Sequence, residues 1–274
     1  MDSDQSNHLR RYFGQSAAIY ADHIERAYGP LAASLVAYAD IKSHDVVLDA
    51  GTGSGLAARF AAPQAATVYA LDFSSEMTIL ASRLATRNVV QGDMHALPYP
   101  AATFDIVLAA FAFNSTNPSH TMRETARVLK NGGRLLIHEW GAVDDISDFV
   151  TDTLALYSVD EASPELAAFR EAQEIHLPWD DIYDIDDIES LLGNAGFVVD
   201  DVAVVVIPVR FESVEAFIAY KLAWPSRQME YDALPPRVQK LLWGDLEENL
   251  AVHQHSDGSF VWEPNIIRMR AIYP

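Results

Sequence analysis

Short apolar runs alternate with helix-like segments through the first half of this chain. The runs cover residues 46–49, 67–72, 88–91, 104–110 and 134–139. The stretches between them include 75–87 and 121–129, where apolar residues recur with helical spacing. Strands that are apolar throughout and are separated by helices favour a parallel sheet that is covered on both faces. Right-handed crossovers then produce a doubly wound sheet, whose ligands bind outside the carboxyl ends of the strands.

Two later apolar runs complete the sheet that we expect. Residues 197–206 and 265–271 are predicted to be strands, which brings their number to seven. The segments 150–184 and 213–258 do not fit the alternation, and we expect them to be helical insertions that cap the ligand-binding edge. The predicted fold is therefore α/β, with a doubly wound, mostly parallel seven-stranded sheet and helical cap insertions.

Composition limits the classes of partner and of site. Lys and Arg number 19 and Asp and Glu number 39, so the formal net charge is −20. Such a surface repels phosphate backbones and anionic lipid, and we therefore expect neither nucleic acid nor a membrane as partner. The sequence contains no cysteine, which excludes disulfides, thiolate metal sites and a cysteine nucleophile. Without an apolar run of signal-peptide or membrane-spanning type, we expect a soluble, cytoplasmic protein.

A glycine-rich turn follows the first apolar run, and a carboxylate stands directly before it. The segment VVLDAGTGSG has the pattern D-x-G-x-G-x-G from Asp49 to Gly55, and Leu56 stands where a dinucleotide fingerprint would have its third glycine. Glycines in such a turn let the backbone approach a ligand closely. A carboxylate there repels pyrophosphate and attracts a cation. S-adenosylmethionine fits, because it carries a sulfonium and an ammonium group and no phosphate.

Several motifs between residues 46 and 140 together resemble the class I S-adenosylmethionine-dependent methyltransferases, in the branch with small-molecule substrates. VLDAGTGSG, YALDFSSEM, QGDMHALPYP and FDIVLAAFAF resemble four successive motifs of that family, and RVLKNGGRLLIHEW resembles the helix, turn and strand that follow. The likeness continues loosely to residue 206. It implies a Rossmann-like fold, S-adenosyl-L-methionine as cofactor and methyl transfer to a small molecule.

The resemblance also implies which residues bind the cofactor. Asp72 lies about 20 residues after Gly51, the spacing of an acid that holds ribose hydroxyls. Asp93 accepts from the adenine amino group, and the Met94 backbone contacts the ring. The full predicted cofactor site is Asp49, Gly51, Thr52, Gly53, Gly55, Asp72, Phe73, Met77, Gly92, Asp93, Met94 and Ala110, with Tyr20 as a contact from an N-terminal lid. The alternative is that each acid only caps a helix or a turn.

The resemblance divides the chain into four parts. Residues 1–40 are expected to form an N-terminal helical lid and residues 41–149 the cofactor-binding α/β core. Residues 150–185 are expected to be a cap insertion. Residues 186–274 complete the core and carry a helical insertion at about 213–258.

Candidates for the acceptor side lie at the ends of the fourth and fifth strands and in the cap. We assign His138 and Glu139 as catalytic candidates, because a histidine of near-neutral pKa could take a proton from a hydroxyl or an amine. Strand alternation sends His138 to one face and Glu139 to the other, and a histidine bonded between helix and sheet is the alternative for His138. Asn114, Trp140 and Trp179 are the substrate candidates; Asn114 could instead cap a helix, and Trp179 could simply pack.

Two acidic or histidine-rich stretches resemble metal sites, but we predict no metal. In WDDIYDIDDIES, residues 179–190, Asp186 and Glu189 have the spacing of a capping box at a helix start. His253 and His255 precede a turn and are interpreted as part of a polar loop.

The predicted function is S-adenosylmethionine-dependent methylation of a small-molecule acceptor on oxygen, nitrogen or carbon. The alternative is an enzyme of the same fold that keeps the cofactor bound and catalyses another step, such as decarboxylation or cyclisation. A non-catalytic partner subunit is a third possibility. The acceptor and the oligomeric state are left open, since neither is encoded in the motifs.

Overall fold

The computed structural model describes residues 25–159, 162–173, 178–182 and 185–274, and in them a seven-stranded sheet forms the centre of the molecule. The strand order is β3-β2-β1-β4-β5-β9-β6. The first five strands in this order pair in parallel, and β9 runs antiparallel to both β5 and β6. The strands are β1 (Val46–Ala50), β2 (Thr67–Asp72), β3 (Val89–Gln91), β4 (Phe104–Ala110), β5 (Leu129–Trp140), β6 (Val198–Val206) and β9 (Asn265–Tyr273). The predicted doubly wound, mostly parallel sheet is confirmed.

Helices cover both faces of this sheet. They are α1 (Glu25–Tyr38), α2 (Leu56–Ala61), α3 (Ser75–Leu84), α4 (Pro118–Val128), α5 (Asp145–Tyr157), α6 (Pro164–Gln173), α7 (Ile185–Asn194), α8 (Val214–Leu222), α9 (Pro225–Asp232) and α10 (Pro236–Leu250). No helix among the described ranges is long and apolar enough to cross a lipid bilayer.

The order in which strands are added to the sheet reverses at β1, and this point marks the ligand-binding edge of the sheet. β1 pairs with β2 on one side and with β4 on the other, so the connections leave in opposite directions and open a crevice at the carboxyl ends of these strands. Ala50, Asp72 and Ala110 end the three strands at this edge. The topology therefore brings the first, second and fourth predicted motifs together.

Two hydrophobic clusters, one on each face of the sheet, form the core. Along β4, Ile106 and Leu108 belong to the first cluster and Val107 and Ala109 to the second. All four side chains are fully buried, as expected when successive residues of a central strand point to opposite covered faces. Leu31 of α1 is fully buried in the first cluster.

The N-terminal part of the chain is only partly described. The helix α1 packs against the sheet with its apolar side fully buried, and so this segment belongs to the core packing. Residues 1–24, which make up most of the predicted lid, lie outside the described residues. The division of the chain into lid, core and insertions stays a prediction.

The structure differs from the sequence prediction at several elements. The helix α4 begins at Pro118, three residues earlier than predicted, because the Asn117 side chain accepts from the backbone N–H of His120 and caps it. A small second sheet, formed by β7 (Val209–Phe211) and β8 (Phe260–Trp262), was not predicted, since each strand has only three residues. Nor was α9, whose first residue is Pro225.

Candidate active site

The glycine loop, Gly51–Gly55, follows β1 in a conformation that its glycines make accessible. Gly51, Gly53 and Gly55 have φ angles of 72°, 54° and 91°. A Cβ atom on Gly51 would lie 2.4 Å from the Cβ of Ala112, so the loop passes directly against the segment that follows β4. The backbone N–H groups of Gly51 and Thr52 both donate to the carbonyl of Leu71, which ties the loop to β2.

Asp49 lies beneath this loop and is only 1% exposed. Its Oδ2 accepts from the Thr52 hydroxyl at 2.6 Å and from the Ala58 backbone N–H at 2.8 Å. Burial raises the pKa of Asp49 to about 6, although both hydrogen bonds favour the charged form. The carboxylate therefore fixes the loop and the start of α2. Its predicted direct contact with a cationic ligand is not tested by the geometry.

Asp72 stands at the end of β2 and remains partly exposed. Its Oδ2 accepts from the backbone N–H of Gly53 at 2.8 Å and its Oδ1 from that of Ser74 at 2.9 Å. Burial raises the pKa of this carboxyl, and the backbone hydrogen bonds oppose the shift. The structure thus brings Asp72 and the glycine loop into contact, as the sequence predicts.

Asp93 follows β3 at the same edge, with 43% of its side chain exposed. Its Oδ1 accepts from the backbone N–H of His95 and lies 2.6 Å from His95 Nδ1. His95 Nε2 in turn accepts from the backbone N–H of Asn117. With that acceptor role, His95 is the neutral tautomer with its proton on Nδ1, and it connects Asp93 to the start of α4.

The other predicted cofactor residues surround this edge at different depths. Met77 and Met94 are buried, and Met94 belongs to the second core cluster. The backbone N–H of Gly92 donates to the carbonyl of Asp72, and a Cβ on Gly92 would lie 2.8 Å from the Leu71 side chain. Phe73 and Ala110 are partly exposed. Tyr20 lies outside the described residues.

Phe111, directly after β4, was not identified from the sequence. It has a φ of 57°, a left-handed conformation that a bulky residue rarely adopts. Its ring stacks on that of Trp140 with centroids 4.2 Å apart, and the ring of Tyr28 meets it edge-on. A small cavity of about 30 Å³ separates Tyr28 and Phe111 from Asp49 and the glycine loop. Backbone strain of this kind is often retained at functional sites, but no pattern in the sequence predicts it.

Glu139 is fully buried, and its predicted catalytic role stays a prediction. Its Oε1 accepts from the backbone N–H of Phe113 at 2.8 Å, and its Oε2 accepts from the Asn114 side-chain amide at 3.0 Å. Burial raises the pKa of Glu139 to about 7, and these hydrogen bonds oppose the rise. Glu139 therefore positions the loop after β4.

Asn114 is partly exposed, and its side chain is engaged within this loop. Its amide donates to Glu139 and its Oδ1 accepts from the Ser115 hydroxyl. It does not cap α4, because Asn117 has that role. A substrate contact for Asn114 stays a prediction.

His138 is buried between β5 and the helix α1, as the alternative interpretation of the sequence held. Neither ring nitrogen reaches a partner in hydrogen-bonding geometry, although the Leu31 backbone lies near. Burial lowers the pKa of His138 to about 4, and the charge of Arg268 lowers it further. The imidazole is fully enclosed in this structure, and its catalytic role stays a prediction.

A chamber of about 720 Å³ opens beyond Trp140, on the side of the first core cluster. We call it the acceptor chamber; its walls include Trp140, Ser147, Tyr220, Lys221, Arg227 and Trp262. Its volume is typical of sites for small molecules. Trp140 also stacks on Phe111, which lines the small cavity at the glycine loop.

Trp179, the third substrate candidate, is not brought to this chamber. It lies in the short helix Pro178–Asp181 and packs against the second core cluster, on the opposite face of the sheet from Trp140. A substrate contact for Trp179 stays a prediction. Within the described ranges, no three side chains of His, Asp or Glu lie close enough together to hold a metal ion.

Comparison with known proteins gives the same assignment as the geometry. Residues 48–137 match a family model described as a methyltransferase domain. The methyltransferase YcgJ of Bacillus subtilis, itself described as uncharacterized, is 31% identical over 50% of this chain and 58% of its own length. The demethylmenaquinone methyltransferase of Tropheryma whipplei is 29% identical over 57% of this chain and 68% of that protein.

The likeness in structure extends further than the likeness in sequence. The crystal structure of B. subtilis YcgJ superposes with a TM-score of 0.54 at 21% identity, and the match covers 88% of this chain and 97% of that one. The sequence alignment, by contrast, spans little more than half the length of YcgJ. The shared segment contains the strands that carry the glycine loop, Asp72 and Asp93. The predicted resemblance to methyltransferases is confirmed for residues 48–137.

Proposed function

We propose that this chain, which residues 48–137 place among the class I S-adenosylmethionine-dependent methyltransferases, transfers a methyl group to a small-molecule acceptor. The observation that carries the proposal is the pairing of Asp72 with the glycine loop at the crevice between β1 and β4. The relatives named above act in part on small metabolites, as the name demethylmenaquinone methyltransferase states. Which acceptor this chain uses is not given by that likeness.

The residues at the glycine loop fit S-adenosylmethionine in chemistry. Among the described residues that line the small cavity there, none is basic and one is the carboxylate of Asp49. That lining suits a phosphate-free cation and disfavours a pyrophosphate. Asp72 would hold the ribose hydroxyls and Asp93 the adenine amino group. When bound, the cofactor supplies an electrophilic methyl group on a positively charged sulfur.

The chain itself contributes positioning and exclusion of water. Trp140 lines the acceptor chamber and stacks on Phe111, which lines the small cavity at the glycine loop, so the proposed acceptor and cofactor sites are neighbours. In the proposed transfer the methyl–sulfur bond breaks, the acceptor atom gains the methyl group, and its proton passes to water. Holding two reactants in the reactive geometry supplies much of the rate enhancement in reactions of this type. Neither His138 nor Glu139 is needed as a base in this account.

The test is methyl transfer by the purified chain from isotope-labelled S-adenosylmethionine to a metabolite extract. We expect labelled small molecules that are each heavier by one CH₂ unit, together with released S-adenosylhomocysteine. Cofactor binding without any labelled product would favour the alternative, in which the bound cofactor does not donate its methyl group. Failure to bind S-adenosylhomocysteine in calorimetry would overturn both.

The remaining expectations about partners stay proposals. The net charge of −20 supports a small molecule as substrate and disfavours nucleic acid. A cytoplasmic location remains a prediction from composition, and the oligomeric state remains open.

A further inference from the structure

The acceptor chamber gathers basic side chains in a chain that is acidic as a whole. Among the described residues of its wall, Arg170, Lys221 and Arg227 are basic, and Asp144 and Glu230 are acidic. The whole chain carries −20. Basic side chains grouped in one cavity of a strongly anionic protein are a specific feature, since the surface charge as a whole would repel anions.

Lys221 is the least compensated of these charges. It comes from α8, is 4% exposed and donates to the Ser147 hydroxyl at 2.6 Å. Its ammonium group lies 3.7 Å from the ring centroid of Trp262. Within the part of the chain that the structure describes, no carboxylate lies within 4 Å of this nitrogen. A buried ammonium without an ionic partner is costly, and a bound anion would reduce that cost.

Asp144, an acid whose charge acts on Lys221, is linked to that lysine through the Ser147 hydroxyl. Asp144 Oδ2 accepts from the Ser147 hydroxyl and from the indole N–H of Trp262. Its charge raises the pKa of Lys221, but burial and the charge of Arg227 have the opposite effect and lower that pKa to about 7. The acid therefore offsets only part of the cost of burying Lys221.

Arg227 brings a second cation to the same space. It lies on α9, and its Nη2 donates to the Thr151 hydroxyl at 3.0 Å. Ser147 and Thr151, which accept from Lys221 and Arg227, are four residues apart on α5, so the two cations meet the same side of that helix. The third cation, Arg170, is paired with Glu230 through two hydrogen bonds of 2.7 Å.

Aromatic rings form much of the remaining wall. Trp140, Tyr220, Trp224 and Trp262 all line the chamber. Flat apolar surfaces of this kind favour a planar apolar ligand, while the small number of polar groups fixes its orientation. Since Trp140 is the ring nearest to Phe111, the apolar part of such a ligand would lie toward the glycine loop.

We propose that the acceptor is a planar carboxylic acid, with its carboxylate bound between Lys221 and Arg227 and its apolar body against Trp140 and Trp262. One carboxylate next to Lys221 would offset the cost of burying that ammonium group, whereas a doubly charged phosphate would be repelled more strongly by Asp144 and Glu230. This inference rests on the proposed methyl transfer, because it names the class of acceptor for that reaction.

The experiment is calorimetric titration of the full chain, with and without S-adenosylhomocysteine, using matched acid and amide probes. The pairs are benzoate with benzamide and 1-naphthoate with 1-naphthamide, and 1-naphthyl phosphate is the dianionic probe. We expect at least one acid to bind and its amide to bind at least about tenfold more weakly, as for loss of a hydrogen bond to a charged group. Equal affinity of acid and amide, no binding of any acid, or tighter binding of the phosphate would each overturn the inference.

Three variants locate the site. Lys221→Met keeps the apolar stem and removes the charge, and Arg227→Met does the same at a less buried position where folding is less at risk. Each should lower the affinity for 1-naphthoate about tenfold or more and leave the affinity for 1-naphthamide unchanged. Lys240→Met, at an exposed lysine of α10, is the control and should change neither. Unchanged 1-naphthoate affinity in the Arg227 variant would contradict the proposed site.

The two proposals can fail separately in this design. A chain that binds S-adenosylhomocysteine but none of the acids refutes the carboxylate site and leaves methyl transfer intact. A chain that prefers acids over amides but does not bind S-adenosylhomocysteine refutes the proposed function.

Discussion

The backbone N–H of Gly53 donates a hydrogen bond to Asp72 Oδ2 over 2.8 Å, so the glycine loop and the end of β2 are joined directly. This bond holds the carboxylate at the crevice while its second oxygen is fixed by Ser74. Each oxygen retains a lone pair that can accept from a ligand hydroxyl. The acid is therefore positioned for a nucleoside by contacts that the chain makes by itself.

Replacing Asp72 should weaken the binding of the cofactor. We expect Asp72→Ala to lower the affinity for S-adenosylhomocysteine at least about tenfold, because hydrogen bonds to a charged group contribute about 1.5–3 kcal/mol. Isothermal titration calorimetry measures this directly. Glu248→Ala, at an exposed acid of α10, is the matched control. An unchanged affinity for Asp72→Ala would remove Asp72 from the cofactor site.

A methyl group on the glycine loop should destabilise the fold. In Gly51→Ala, the new Cβ would lie 2.4 Å from that of Ala112, and the φ of 72° is unfavourable for any L-residue with a side chain. We expect a loss of more than about 1 kcal/mol in the free energy of unfolding, measured with urea. Gly244→Ala in α10 meets no atom within 4 Å and should stabilise by about 0.5–1 kcal/mol. Equal stability of Gly51→Ala and the parent chain would contradict the loop geometry.

Neutralising Glu139 should change how stability depends on pH. The folded state raises the pKa of Glu139 from 4.5 to about 7, so the folded chain binds a proton more tightly than the unfolded chain. The contribution to stability is then fully present below pH 4.5 and is lost as the pH rises through about 7. The variant Glu139→Gln should not show this loss. Between these pH values, its free energy of unfolding should rise by on the order of 2–3 kcal/mol relative to that of the parent.

Urea unfolding of both chains at pH 5 and pH 8 gives that comparison. Because Asp49 also has a raised pKa, only the difference between variant and parent reports on Glu139. A parallel pH dependence in the two chains would show that Glu139 is not buried as a carboxylate.

The contribution of His138 to stability should depend on pH in the opposite direction. Its pKa falls from 6.5 to about 4 on folding, so its contribution to stability is present above pH 6.5 and is lost as the pH falls through about 4. His138→Leu should therefore lose less stability than the parent between pH 7 and pH 5, and it should keep methyl transfer. His253→Gln, at an exposed histidine, should match the parent in both measurements. Loss of transfer in a folded His138→Leu chain would support the predicted catalytic role of His138.

The central strands could be predicted because a strand that is buried on both faces is a continuous apolar run in the sequence. The strand β4 has the bounds that the apolar run indicates, Phe104 to Ala110, since both of its faces are covered. The strand β5 starts earlier than predicted, because Leu129 already pairs with Phe104 before the turn at Gly132. That pairing depends on a neighbour that is distant in sequence, and no local pattern contains it.

The candidate site was also predicted only in part. Asp72 and the glycine loop have a recognisable spacing, and their contact follows from the topology. The burial of His138 and Glu139 could not be predicted, because strand alternation gives the face of a side chain but not what covers that face. Lys221 was not identified from the sequence. Its position in the apolar segment FIAYKLAW, without an acid three or four residues away, was the available signal.

The proposed cofactor and acceptor sites occupy different parts of the chain. The described residues that line the small cavity at the glycine loop lie between Tyr28 and Phe111, whereas those of the chamber wall lie between Trp140 and Asn265. Recombination near the end of β5 would therefore exchange the proposed acceptor pocket and leave the proposed cofactor site whole. Chimaeras joined at that point with a related chain should inherit donor affinity from one parent and substrate preference from the other.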